Sequence, residues 1–425
     1  MGDDLDLEAL EMSVRSSMHQ VGAVMLEEMI NGLLPEESSS GSQRECGEEY
    51  LFWGNREKRL WTVLGEIVVR RNYYYHARKG TGIFPKDRAL GIEGTLFSPG
   101  VRRMMARTGA SRPFAWAAED LKELAGLSLE AKEVERSCHS LGPQVETFLQ
   151  SCPKEEYPRE NVVAFRKIPL LYISMDGTGV PMVKKETEGR AGKGEEGWAK
   201  TREVKLGCVF TQSGLDSQGN PVRDENSTSY VGAIETAEKF SDRLYQEALR
   251  RGLWQARKVC VLGDGAVWIW NIADLQFPEA IKIVDLFHAQ EHIWNVAKEI
   301  YPRDRRQWEP WARERIEELE QGDPEVVSQK ILAMIPSVPQ SKEMLEKEAN
   351  YFERNRERMR YAQFRKQGLF VGSGVLEAGC RSVIGSRLKQ SGMHWTVSGA
   401  NAVIALRCCI ESNRWEDFWE YCSSA

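Results

Sequence analysis

The sequence lacks any apolar run of the roughly 18 residues that a membrane span requires. It also lacks the basic start of a signal peptide, opening instead with Asp3, Asp4 and Asp6. These absences predict a cytoplasmic protein, associated with a bacterial nucleoid when bound to DNA, and no membrane partner. No Cys-x-x-Cys pair occurs among the nine cysteines, and an odd number at irregular spacing suits neither a structural zinc nor a disulfide framework. Cys408 and Cys409, adjacent in an apolar helical stretch, read as packing residues. A phosphate loop is missing too. Gly189-Arg-Ala-Gly-Lys193 has neither the spacing nor a Ser or Thr after the lysine, so 189–197 reads as a flexible loop whose bases could touch DNA.

What is present is a chain of 425 residues, enough for two to four domains. The formal net charge of -6 conceals a segregation. Twelve acidic residues in 1–50 stand against Arg15 and Arg44, whereas 56–112 carries thirteen bases, among them Arg70, Arg71, Arg102 and Arg103, against four acids. A polyanion responds to the patch within a Debye length of about 10 Å rather than to the total. Residues 5–34 have helical spacing and lead to Pro35 and a Ser-, Gly- and Glu-rich linker, 36–49. Residues 60–75 alternate as a strand ending in Tyr73, Tyr74 and Tyr75, and 97–150 reads as helical with turns at Thr108-Gly109 and Gly126. The N-terminal region is therefore expected to be mainly helical and to bind DNA, phosphates to Arg and Lys and bases to the rings.

The middle of the chain has a distinctive order. The apolar run 168–175 predicts a buried strand stopped by Asp176-Gly177. Strands at 203–211 and 228–234 follow, then a helix at 235–251, a strand at 258–263, a helix near 266–275, a strand at 281–285 and a long helix from about 288. The order β-β-β-α-β-α-β-α is that of a ribonuclease H-like mixed sheet, in which the first and fourth strands are neighbours.

On that frame Asp176 ends the first strand and Asp264 ends the fourth, so two carboxylates meet at one edge of the sheet. Glu377, in a later helix, is the candidate third. Phosphodiester chemistry needs an activated oxygen nucleophile and a stabilised leaving oxygen, and two magnesium ions roughly 3.5–4 Å apart serve both. Magnesium or manganese is held by hard oxygens, so a few carboxylates suffice. Taken singly, each acid has a plainer reading: Asp-Gly after a strand is a common turn, and Glu377 at a helix start offsets the macrodipole. Their combination with the strand order points to a metal site.

The stretches Met175-Asp-Gly-Thr-Gly-Val-Pro-Met182, Lys200-Thr-Arg-Glu-Val-Lys-Leu-Gly-Cys-Val-Phe-Thr211, Val261-Leu-Gly-Asp-Gly-Ala266, Ile283-Val-Asp-Leu-Phe-His-Ala289, Gly372-Ser-Gly-Val-Leu-Glu-Ala-Gly-Cys380 and Leu388-Lys-Gln-Ser-Gly-Met-His-Trp395 resemble the ISKra-type insertion-sequence transposases. The resemblance runs from about residue 50 over nearly all the rest. It implies a DDE transposase acting on the terminal inverted repeats of its element and on target DNA, as a homodimer or larger assembly. The acids then fall on Asp176, Asp264 and Glu377, each both catalytic and metal-binding. The chain is also similar to the broader Mutator-like group in Asp285-x-x-His288, which that group places beside the active site.

Residues 289–370 read as an all-α insertion broken at Pro302, Gly322-Asp323-Pro324 and Pro336, dividing the core into 161–288 and 371–425, behind segments 1–50 and 51–160. Arg354, Arg358, Lys366, Arg381, Arg387 and Lys389 are expected to contact DNA backbone, against the alternative of a solvated face. One departure from the family concerns a two-cysteine zinc knuckle: His76 and Lys79 stand where its cysteines would be, so no zinc is expected there. Two rival readings remain. His288-Ala-Gln-Glu-His292 matches the inverted zinc-protease motif, which leaves the three acids unexplained. A non-cutting DNA-binding protein on the same fold is the other, opposed by the presence of all three acids.

Overall fold

Two long strands form a sheet in the N-terminal part, with helices before and after them. The computed structural model describes residues 6–33, 41–151, 167–192 and 197–424. Asp3 and Asp4, residues 36–40 of the expected linker, the expected boundary at 160–161 and residues 193–196 of the expected loop lie outside that range. The chain divides into two compact units, Met1–Leu141 with Cys422–Ala425 and Gly142–Tyr421.

The first unit opens with α1 (Leu7–Leu33) and a four-stranded antiparallel sheet in sequence order: β1 (Ser42–Glu45), β2 (Glu48–Thr62), β3 (Gly65–His76) and β4 (Thr81–Ile83). Helices still make up most of the unit, and the sheet beside them is what the sequence showed only at 60–75. Alternating Leu60, Ile67 and Val69 are buried beside Ala23 of α1, which a period of two allows and a helical period does not. Helix α1 is tied down by Asn31 and Glu27, whose side chains bond the Val68 and Arg70 backbone. The short α2 (Pro85–Ala89) is followed by α3 (Pro99–Ser111), α4 (Phe114–Ala125) and α5 (Ala131–Ser151), within which the division between units falls. Ser98 caps α3 through the Val101 N–H, and Gly126 ends α4 in the left-handed region. The expected turn at Thr108-Gly109 is helix instead. A Cβ on Gly109 would meet Cys138 Sγ at 2.6 Å and Val134 at 2.8 Å, so this glycine serves close helix packing.

The second unit is built on a mixed five-stranded sheet. Its strands are β5 (Ile168–Pro181), β6 (Thr201–Gln212), β9 (Ser229–Ala233), β10 (Ala256–Gly263) and β11 (Ile281–Val284), with a small hairpin of β7 (Gly214–Leu215) and β8 (Pro221–Val222) beside it. The order is β11-β10-β5-β6-β9: β5 pairs parallel with β10 and antiparallel with β6, and β10 pairs parallel with β11. The central strands are apolar on both faces because both are covered. Gly207 of β6 lies against Leu244 and Phe240 of α6 (Ala237–Arg250), and Gly232, of opposite parity, faces Ile404 of α15 (Val397–Glu411). Helix α15 is buried almost all round, Cys408 and Cys409 included, as a central helix must be. Between β10 and β11 runs α7 (Val267–Gln276).

After β11 the chain is helical as far as the approach to Glu377: α8 (Leu286–Ile300), α9 (Arg305–Gln321), α10 (Pro324–Ala333), α11 (Lys342–Arg354) and α12 (Tyr361–Lys366), joined by 3-10 turns. Gly322, at a φ of 92°, ends α9 and Pro324 starts α10. Then come α13 (Gly374–Gly379), a π-helical turn Cys380–Gly385, α14 (Ser386–Leu388), α15 and α16 (Trp415–Ser424). No helix among the described residues is long and apolar enough to cross a membrane.

Candidate active site

Sheet register brings three acids into one row. Met175 pairs with Gly263, and Gly263 with Val284, so the next residues, Asp176, Asp264 and Asp285, follow the same rung across three parallel strands about 5 Å apart. Strand β5 does not stop at Asp176 as expected. It continues to Pro181 against β6, because Gly177 and Gly179 leave room for Glu203 and Thr201 of the partner strand.

Asp176 is half-buried at this row. Burial raises its carboxyl above the usual range, and the neighbouring Asp264 adds to the rise; Cys380, the Gly177 N–H and His288 oppose it. Its Oδ1 accepts from the Gly177 N–H at 2.6 Å, and its Oδ2 accepts from the Cys380 thiol at 3.2 Å. Asp264 accepts the Ala266 N–H on Oδ1 at 2.8 Å, which fixes the turn into α7. Its own carbonyl is held by the Tyr351 hydroxyl of α11 at 3.2 Å. Gly265 is required between them: its φ is +97°, and a Cβ there would meet the Tyr351 ring at 2.6 Å.

Asp285 is buried and its two oxygens are used by the fold. One caps α8 through the His288 N–H at 2.7 Å, and the other accepts from the Ser373 N–H at the start of α13. It therefore positions two elements rather than offering a free ligand. His288 faces Glu291 at 3.6 Å, and its ring lies 5.2 Å from that of His292. His292 stacks on Tyr351 at 4.0 Å and bonds Glu348 of α11 at 2.6 Å.

Glu377 is exposed on α13, one turn before Cys380. Residues three apart on a helix have Cβ atoms roughly 5–6 Å apart, so Glu377 shares its helix face with the thiol that touches Asp176. Among the described residues, however, no three His, Cys, Asp or Glu side chains are grouped to hold a metal ion. A fit to divalent cations therefore rests on Asp176 and Asp264, hard-oxygen donors whose mutual repulsion a cation would relieve. For a zinc-protease centre on His288 and His292 no such grouping is found, and His292 is engaged by Glu348 and Tyr351.

The basic residues separate into two sets. Arg70, Arg354, Lys366, Arg381 and Lys389 are exposed, Lys389 also donating to Thr178 of β5. Arg387 is buried and lies over the Trp395 ring at 5.0 Å, so it is withdrawn as a DNA contact: the apolar neighbours that bury it close off its approach. Arg71 is likewise committed, to Asp87 at 2.5 Å and to the Phe84 ring at 4.0 Å. Arg102 and Arg103 are half-buried, Arg102 donating to the Gly91 carbonyl at 2.6 Å, and Arg358 covers Trp270 at 4.6 Å. At the expected knuckle position, His76 and Lys79 both pair with Glu48, each at 3.1 Å. Cys380 and Tyr351 were not singled out from sequence; neither spacing nor residue type marks them, since their role arises only where helices return to the sheet edge.

Residues 1–416 match a family described as uncharacterised protein family (UPF0236). Among solved structures, the chain is similar to the Drosophila P element transposase strand transfer complex, with a TM-score of 0.27 and 8% identity over 79% of this chain and 83% of that one. No curated protein matches it.

Proposed function

The chain belongs to the uncharacterised protein family UPF0236, and we propose that it is a DNA transposase with a ribonuclease H-like core and an Asp176, Asp264 and Glu377 triad. The observation that carries this reading is the row that sets Asp176, within β5, beside Asp264, just after the parallel neighbour β10, on a sheet ordered third-second-first-fourth-fifth among its own strands. In the ribonuclease H-like arrangement expected from the order of elements along the chain the first and fourth strands are neighbours, as β5 and β10 are. The motifs resembling insertion-sequence transposases lie on the same strands and on α13.

In this reading Asp176 and Asp264 hold divalent cations and Glu377 supplies the third carboxylate. When bound, two magnesium or manganese ions activate the attacking oxygen and stabilise the leaving one. The remaining groups orient these ligands. Cys380 fixes one Asp176 oxygen, Tyr351 fixes the Asp264 backbone, and Asp285 holds α8 and the start of α13 in register. Exposed Arg354, Lys366, Arg381 and Lys389 supply phosphate contacts, and half-buried Asp176 is shielded enough from water for its charge to matter. Two DNA ends must be paired for transposition, which calls for a dimer or larger assembly on DNA.

The test is cleavage of a plasmid that carries the DNA flanking the coding sequence. The full-length protein is expected to nick and join it at inverted repeats in magnesium or manganese, and to be silent in chelator. Absence of both DNA binding and cleavage in either metal would remove the reading.

A further inference from the structure

Helix α1 carries two apolar faces, and its own unit covers one of them. Inward lie Ala23, Leu26 and Ile30 against the sheet, while Arg15 donates to the Glu123 and Leu124 carbonyls at the end of α4. On the far side Leu7, Leu10, Val14, Val21 and Val24 are 47–64% exposed. Met18 and Met25 flank them, each 60% exposed. Residues 6–14 are exposed on every side. Single exposed apolar side chains are ordinary, but a continuous stripe of them marks a contact surface. Two helical turns that pack on nothing also gain little stability by themselves.

The outer positions 7, 10, 14, 17, 21 and 24 alternate by three and four, with Ser17 in the one polar slot. That is the period of a seam facing another helix, and at 3.6 residues per turn it lies about 180° from Ala23, Leu26 and Ile30. A side chain of this size has roughly 100 Å² to bury. The seven together, a little over half exposed, offer on the order of 400 Å² per copy, and with flanking polar atoms a pair reaches the roughly 1,000 Å² of a specific interface. The polar neighbours of the stripe are Glu11, Ser13, Gln20 and Glu28, in a segment whose bases are Arg15 and Arg44. An anionic lipid surface or a nucleic acid is repelled by such a helix, since binding to either needs Lys and Arg beside the apolar face. The charges also set the direction of pairing. Parallel helices would place Glu28 against the second copy's Glu28 in the seam and Asp6 beside its Glu11. Antiparallel helices centred between residues 15 and 16 set Leu7, Leu10 and Val14 opposite the second copy's Val24, Val21 and Ser17, leave Glu28 outside, and oppose the helix dipoles.

We infer that α1 is a self-association helix whose outer face pairs antiparallel with α1 of a second copy of this chain. The same patch then serves on both copies, so the pair is closed and two-fold symmetric. The pairing needs no DNA. A chain that pairs through α1 and cuts no DNA would keep this interface and lose the proposed function.

The experiment is sedimentation of the full chain, without DNA, over a concentration series. Wild type is expected to pass from monomer to dimer as concentration rises. Val14→Glu with Val21→Glu should weaken the dimer at least about tenfold, because the seam would then bury carboxylates without counter-ions. Its melting temperature in dilute, monomeric protein should match wild type, since both positions are exposed in the single chain. As a second measurement, Leu7→Cys chains mixed with mass-tagged Val24→Cys chains should form a disulfide-linked pair that neither forms alone, above any background from exposed Cys46. A wild type that stays monomeric, or a dimer unaffected by Val14→Glu with Val21→Glu, would overturn the pairing. Linkage of Val24→Cys to itself would overturn its antiparallel direction.

Discussion

Replacing Asp176 with asparagine is expected to remove at least about a thousandfold of DNA cleavage, equivalent to roughly 4 kcal/mol, while the metal-free protein melts no lower than wild type at neutral pH. The two outcomes share one cause. Burial and the adjacent Asp264 raise the Asp176 carboxyl above the usual range, so the folded state disfavours the charged form. A group whose folded value is raised contributes stability below its unfolded pKa, and that contribution is lost as pH rises through the folded value. At neutral pH the charged carboxylate is therefore a local cost of folding, and asparagine relieves it while keeping an acceptor for Cys380. Scanning calorimetry with chelator between pH 4 and pH 8 should show wild-type stability falling relative to the variant as pH rises. Asp264→Asn and Glu377→Gln should share the loss of cleavage with DNA binding largely retained. Wild-type cleavage by any one of the three variants would remove that residue from the site, and a clear drop in the melting point of Asp176→Asn would refute the charge argument.

The second large effect lies far from the row of acids. Glu247 of α6 is fully buried and faces three guanidinium groups: Arg414 at 2.9 and 3.1 Å, Arg250 at 2.9 Å and Arg251 at 3.7 Å. Glu247→Ala should destabilise the second unit by about 3–5 kcal/mol, because it leaves these cations close together without their counter-ion. A fall in melting temperature on the order of 10 °C is the expected reading. Burial alone would raise this carboxyl, but Arg414 and Arg250 outweigh it and hold it below the usual range. The sign of its pH dependence is thus opposite to that of Asp176. Its stabilisation is present above the unfolded pKa and is lost as pH falls through the folded one, so the variant and wild type should converge in acid. A loss below about 1 kcal/mol at neutral pH would show that the cluster contributes little.

The five strands of the second unit were legible because their signals are local. The apolar run at β5, the alternation at β6 and the short runs at β10 and β11 are what a sheet covered on both faces demands. From their order alone Asp176 and Asp264 become neighbours. The extension of β5 was not legible, since Asp-Gly and Gly179 look like punctuation until Glu203 and Thr201 are seen to fill the space they leave. In the first unit the helices were legible and most of β2 was not: it is rich in charged residues and has a register irregularity between Phe52 and Gly54, so no simple alternation announces it. Arg387 shows the limit for single side chains. A basic run predicts an exposed face on average, but whether one arginine points to water or lies over Trp395 is decided by tertiary packing.

The bonds of Asp285 have a topological consequence. The helical excursion from α8 to α12 departs at this residue and comes back beside it, since Leu286 donates to the Val371 carbonyl at 2.9 Å and Ser373 to the Asp285 carboxylate. A segment whose two ends are clasped at one point can lengthen, shorten or change its outer helices with little disturbance to the sheet that carries it. The excursion is nevertheless not idle scaffolding, because Tyr351 reaches back from it to Asp264. Variation in this excursion is thus expected to be free on its outer helices and constrained where α11 returns to the row of acids.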